Sequence, residues 1–299
     1  MSGILVPVGV GLHGDGKMIM RNVVTGEIET REMRNTLFGS YLNSLFSSTR
    51  VFAGGILWCT GSTCFLGTSD VAASRSDTGI KGTTLASKAG NTSFSGTHPK
   101  VKTITTVFPT GVGTGLIKEV VLQNTARQVV SPALDKTANH ELTVTWTITL
   151  SRGADSWSGT IPAGQRDGAT DINWVATINN NQLGGCANCN VEWGYLYLAL
   201  MGTSNAPSDL INDPIRGLKG TVVINEWAKF KNVLPYTTNS FYRDVQLGLD
   251  VDQGNGSIGE TIVSSNTEGF ARITFDPPLD KIDTYRLYLT FRLAVVNAS

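Results

Sequence analysis

The chain has 299 residues, with 24 Lys and Arg balanced by 24 Asp and Glu and only 16% charged residues in all. A net charge of zero excludes the basic field that counter-ion release from nucleic acid requires, and no stretch approaches the roughly 20 consecutive apolar residues of a membrane-spanning helix. Abundant Gly, Ser, Thr and Asn suit many short strands joined by polar turns, and the length suits two domains.

Residues 1–34 read as an N-terminal arm built of hairpins. Gly14-Asp15-Gly16 and Thr25-Gly26 are turn signals, flanked by strand-like Lys17 to Met20 and Glu27 to Thr30. Gly9 to Gly14 spells GxGxxG, but a strand-like run succeeds it where a dinucleotide site needs a helix, so no cofactor is expected. The basic start, apolar run and cleavage site of a secretory signal are missing from this segment, and synthesis and use without Sec export are expected.

Asn35 or Thr36 is placed to cap a helix, because Leu37, Phe38, Tyr41, Leu42, Leu45 and Phe46 recur at three-to-four-residue spacing. A strand through Trp58 ends in Gly67-Thr68-Ser69. Residues 67–99 then form a long polar stretch, and a structureless loop of that length inside a compact domain is more plausible if another subunit orders it. From Glu141 to Leu150, apolar Leu142, Val144, Trp146, Ile148 and Leu150 alternate with threonines, the pattern of a half-buried strand. The Gly- and Pro-rich segment 151–170 reads as a connector.

Beyond this connector the chain repeats its first half. Trp193 to Ser204 answers Trp58 to Ser69, with Gly-Thr-Ser closing both; Leu218-Lys219-Gly220 answers Ile80-Lys81-Gly82; Gly254 to Glu260 answers Gly113 to Glu119; Arg272 to Ile282 answers Arg127 to Thr137; and Arg286 to Val295 answers Glu141 to Leu150. A period this long is a duplicated domain rather than a solenoid. Asp171 is placed to cap a shorter second helix carrying Ile172, Val175 and Ile178. The expected fold is mainly β: an arm (1–34), a first β-sandwich-like repeat (35–150), a connector (151–170) and a second repeat (171–299), with one short helix in each repeat.

Chemistry is sparse. Cys59, Cys64, Cys186 and Cys189 could supply four thiolates to zinc. However, Cys59 and Cys64 stand in a strand segment where the second copy has Gly194 and Ala199, so plain thiols are expected, with structural zinc or a local disulfide as the alternative. Asp250-x-Asp252 with Glu260 fails the calcium-loop pattern, which wants Gly sixth and Glu twelfth, and a hairpin turn is the better account. His13, His98 and His140 lie in no nucleophile elbow or zinc-helix motif, and the chain is read as a non-enzyme without catalytic residues. The recurring Pro132-x-Leu134-Asp135-Lys136 and Pro277-x-Leu279-Asp280-Lys281 read as strand-stopping prolines leading into polar turns.

The order of landmarks, from the Asn-capped helix through Gly67-Thr68-Ser69, Ser76-Asp77-Thr78, Ile117-x-Glu119 and Pro132-x-x-Asp135-Lys136 to the strand Leu142 to Trp146, resembles tail-associated structural proteins of tailed bacteriophages. The resemblance covers about residues 35–150, and 171–295 through the repeat. It implies a virion tail component, made in the host cytoplasm, that assembles as a homo-oligomer and connects or decorates other tail proteins. The alternative is a receptor- or carbohydrate-binding adhesin of the same virion, with Trp157, Trp174 or Tyr236 stacking on a host surface glycan. A glycan-cleaving enzyme is a third class, and it would need a pair of carboxylates brought together only in space.

Overall fold

A computed structural model describes residues 3–47, 60–96, 99–152, 156–163, 170–178, 196–201, 230–252, 255–265, 268–284 and 286–298. The described chain is mainly β, with one α-helix. In order the elements are β1 (Gly3–Asn22), β2 (Ile28–Arg34), β3 (Thr36–Leu37), α1 (Gly39–Ser47), β4 (Thr63–Gly67), β5 (Thr84–Ala89), β6 (Asn91–Ser95), β7 (Lys100–Phe108), β8 (Gly115–Leu122), β9 (Ala126–Lys136) and β10 (His140–Arg152). The second part of the chain supplies β11 (Ser156–Ile161), β12 (Ile172–Ile178), β13 (Leu196–Met201), β14 (Phe230–Val233), β15 (Tyr242–Leu249), β16 (Gly256–Ser265), β17 (Glu268–Lys281) and β18 (Leu287–Ala298).

These elements fall into two compact units. The N-terminal unit holds residues 11–47, 55–151 and 295–299; the C-terminal unit holds 1–10, 48–54 and 152–294.

Within the N-terminal unit, one sheet runs β2-β1-β10-β7-β6 and another runs β3-β9-β8-β4-β5. The alternation along β10 works as the sequence implies: Leu142, Val144, Trp146 and Ile148 are fully buried, and their threonine neighbours face the other way. Facing them from the second sheet are Cys64 and Leu66 of β4 and Val120 and Leu122 of β8, all fully buried. The Trp146 indole donates to the Cys64 Sγ at 3.5 Å, so the two sheets meet there. Burying each large apolar side chain contributes about 1.5–3 kcal/mol.

The helix forms with the expected apolar face, since Tyr41, Leu42, Leu45 and Phe46 are buried. It begins later than the capping signal implies. Thr36 and Leu37 pair with Arg127 and Ala126 as β3, and the Phe38 and Gly39 amides donate to the Thr125 and Arg75 carbonyls. These tertiary partners replace an Asn35 cap. The Asn35 side chain is instead buried, its amide without a hydrogen-bond partner among the described residues.

Residues 11–34, expected to form part of an arm, run as β1 and β2 beside β10. Thr25-Gly26 does make a turn, with Gly26 at φ 76°. Gly14-Asp15-Gly16 does not, because it lies inside β1. A Cβ on Gly16 would come within 2.4 Å of the Met33 Cε, so close packing rather than a turn accounts for that glycine.

In the C-terminal unit one sheet runs β11-β12-β17-β16-β13, and β14-β15-β18 form another run of strands. The second helix expected after Asp171 is absent: residues 172–178 are β12, paired with β11 and β17. Ile172, Trp174 and Ala176 are buried while Asn173, Val175 and Thr177 are exposed. That is a period of two, and β-branched residues favour it over a helix. The expected connector also contains β11, hydrogen-bonded to β12. Asp244 and Arg292 face each other across β15 and β18 and are joined by two hydrogen bonds of 2.8 Å.

Candidate functional site

A buried polar cluster of the N-terminal unit lies where β8, β9 and the loop 68–83 meet. Along β8 and β9 the pairing shifts between Ile117 and Glu119, and such an irregularity re-aims a side chain. Glu119, fully buried, accepts four hydrogen bonds. Its Oε1 takes the Gly82 amide at 2.8 Å and the Ser69 amide at 3.2 Å, while its Oε2 takes the Lys81 amide at 3.1 Å and the Arg127 Nε at 2.7 Å.

Arg127, also fully buried, donates from Nη1 to Asp77 Oδ2 at 3.1 Å and to the Ala72 carbonyl at 3.3 Å. Asp77 in turn accepts the Ser74 amide at 3.0 Å and pairs with the Lys81 ammonium at 3.1 Å. Two carboxylates thus face two cations, and the cluster is neutral. The Arg127 Nη2 is buried with no hydrogen-bond partner among the described residues.

Burial alone would push the Glu119 carboxyl up, but the Arg127 guanidinium and the Gly82, Lys81 and Ser69 amides outweigh it and hold it below its ordinary value. Asp77 behaves the same way: burial is opposed by the Ser74 amide, Lys81 and Arg127, with a net downward shift. Both groups stay ionised and fully engaged. Such an arrangement fixes a loop.

The recurring sequence words have physical reasons. A Cβ on Gly67 would sit 2.6 Å from Glu119 Oε1, and one on Gly82 would sit 2.7 Å from the Ser69 nitrogen. Gly67-Thr68-Ser69 and Ile80-Lys81-Gly82 are therefore the two backbone stretches that close on the carboxylate. Thr68 Oγ1 also accepts the Thr83 amide at 3.0 Å.

The C-terminal unit repeats the frame of this site. Gly115, Ile117, Glu119 and Val121 pair with Lys136, Leu134, Val129 and Arg127; Gly256, Ile258, Glu260 and Ile262 pair with Lys281, Leu279, Thr274 and Arg272, with the same shift before the glutamate. Arg272 again binds its glutamate, Glu260, through Nη2 to Oε2. The peptide bonds before Pro132 and Pro277 are both cis. The counterparts Gly202-Thr203-Ser204 and Leu218-Lys219-Gly220 lie outside the described residues.

The Pro-x-Leu-Asp-Lys words are not polar turns. Both sit inside continuous strands, β9 and β17, and each lysine points inward: Lys136 is fully buried and Lys281 nearly so. The Lys136 ammonium donates to the Pro109 carbonyl at 2.9 Å and to the His140 carbonyl at 2.7 Å, which offsets the cost of burying the charge. Composition hid this, because lysine is almost never fully buried without partners.

Of the four cysteines, Cys64 is a buried free thiol in β4. Burial pushes it up to about 12, against a smaller downward pull from the Trp146 indole. Cys59, Cys186 and Cys189 lie outside the described residues, as does His98. His13 stands 2.9 Å from Asp15 on β1, and the His140 Nδ1 takes the Thr137 amide at 3.1 Å. Asp250 is tied to its own turn, accepting the Val251 amide and the Arg286 Nε, each at 2.8 Å. Trp174 is buried against Gly159, whose Cβ would sit 2.6 Å from its ring; Trp157 and Tyr236 are half-buried. The chain matches no family model, no curated protein and no solved structure.

Proposed function

We propose that this chain is a structural protein of a bacteriophage tail, a subunit of two duplicated β-sandwich-like domains that assembles with copies of itself and joins or decorates other tail components. One observation carries the reading. Three landmarks of the tail-protein resemblance, Gly67-Thr68-Ser69, Ser76-Asp77-Thr78 and Ile117-x-Glu119, converge on one buried ion-pair network. The network spends its charges on holding a surface loop in place, which is the work of an assembly subunit. The repeated register and glutamate–arginine pair of the C-terminal unit support duplication of the same scaffold.

The test is to purify the full chain, determine its oligomeric state by light scattering, and locate it in virions with a specific antibody under the electron microscope. The expected outcome is a defined oligomer and a label confined to the tail. A chain that stays monomeric at high concentration, together with complete and infectious tails in particles lacking it, would overturn the proposal. Adsorption of the isolated chain to host cells would instead favour the adhesin.

A further inference from the structure

The buried lysines at the ends of β9 and β17 occupy the same register position but face different groups. Lys136 meets two backbone carbonyls, which have no leaving group short of cleaving the chain. Lys281 meets a side-chain carboxamide: its Nζ lies 2.9 Å from the Asn255 Oδ1, and 3.4 Å from the Val251 carbonyl. The first unit has Thr114 at the position corresponding to Asn255.

We propose that Lys281 and Asn255 form an intramolecular isopeptide bond, a covalent staple between the end of β17 and the start of β16 that the first unit lacks. With a carbonyl bond of about 1.2 Å, the Asn255 Cγ lies within roughly 4 Å of the lysine nitrogen, a small side-chain rotation from the roughly 3–3.5 Å of an attack-ready pair. Strand pairing holds the two residues together, since Gly256 and Lys281 are register partners, and that proximity replaces a bimolecular encounter.

The step balances without an outside reagent. Lys281 loses its extra proton to water, and the free amine attacks Cγ. The C–Nδ2 bond then breaks as one Nζ proton passes to Nδ2, which leaves as ammonia, and Nζ keeps one hydrogen and the new amide bond. Asp252, Asp250 and Asp283 act on Lys281 through their charge, and water carries its proton away. Burial draws the lysine below its ordinary value, against the pull of these acids, and a desolvated amine is the reactive form.

This bond does not depend on the tail reading. It is tested by intact mass spectrometry of the full chain, then by digestion and sequencing of the fragments. The expected result is a mass below that of the sequence by one ammonia, and a branched peptide joining Asn255 to Lys281. Lys281→Arg and Asn255→Ala should each restore the full mass, while Lys136→Arg should keep the loss. A wild-type chain of full mass, with the two peptides recovered separately, would overturn the proposal. So would an ammonia loss that survives Lys281→Arg.

Discussion

Replacing Glu119 with Gln keeps the shape of the buried site and removes its charge. Glutamate uses both oxygens there as acceptors for four donors; glutamine has one oxygen, and its NH2 group must face two donors whichever way it is turned. Either the Ser69 and Gly82 amides or Lys81 and Arg127 lose their acceptor. Hydrogen bonds to charged groups are worth about 1.5–3 kcal/mol each, and removing one partner of a buried ion pair costs about 3–5 kcal/mol. The expected destabilisation is therefore about 3–5 kcal/mol, felt first in loop 68–83. Hydrogen exchange read by mass spectrometry on peptides covering that loop should show protection falling about a hundredfold or more, at about 1.4 kcal/mol per factor of ten. Urea unfolding of the full chain should show the same loss in the transition of the N-terminal unit. Loop protection unchanged and a loss below about 1 kcal/mol would refute the reasoning, because the carboxylate would then not be what holds the loop.

Acid should act on the same contacts. The folded-state values of Glu119 and Asp77 are lowered, so below their ordinary values of 4.5 and 3.8 the unfolded chain binds protons first. Their stabilisation is complete above that range and is lost as pH falls through the depressed folded values; loop protection, corrected for the slower intrinsic exchange at low pH, should fall there on going down from pH 6, and less steeply in Glu119→Gln. Cys64, with its thiol pushed up to about 12, should resist a maleimide at pH 8 in the folded chain and react in denaturant, as read from its own tryptic peptide; rapid labelling without denaturant would contradict its burial. Lys136→Met should cost about 2–4 kcal/mol in urea unfolding, because two buried carbonyls lose a charged donor, and a neutral result would show that water replaces it.

The apolar alternation of β10 was legible in the sequence because half-burial writes a period of two into the residues, and the helix face was legible because packing writes a period near four. The Glu119 network was half legible. Its pieces stood out as recurring words, yet nothing local says that an amide at 69, an amide at 82 and a guanidinium at 127 meet on one carboxylate. That meeting depends on strand pairing across dozens of residues. Ile172 to Ile178 carries a helical spacing, and Asp135-Lys136 and Asp280-Lys281 carry turn residues, yet each segment lies in a strand whose neighbours decide its form. Local propensity is overridden when a segment is paired to a neighbouring strand, and a buried lysine looks like a solvent-facing one until its carbonyl partners are known.

A neutral cluster of two buried acids, a buried arginine and an exposed lysine is an expensive way to gain stability, since well-packed apolar side chains of the same volume often do as well. Its effect here is on position. Glu119 comes just after the shift in pairing between β8 and β9, and slipping β8 by one residue would turn the carboxylate to the opposite face of its sheet. That would leave Arg127 buried without an anion at its Nε and would release the amides of Ser69, Lys81 and Gly82. The network therefore penalises a misregistered β8–β9 pair and a displaced loop together. The same shift, glutamate and arginine recur in β16 and β17, so the proposed duplication carried over the device that fixes register. Among the described residues the units differ at the buried lysine, which meets two backbone carbonyls in one and the Asn255 side chain with the Val251 carbonyl in the other. An identical frame can thus hold one pair of strand ends by hydrogen bonds and offer the other a route to a covalent bond.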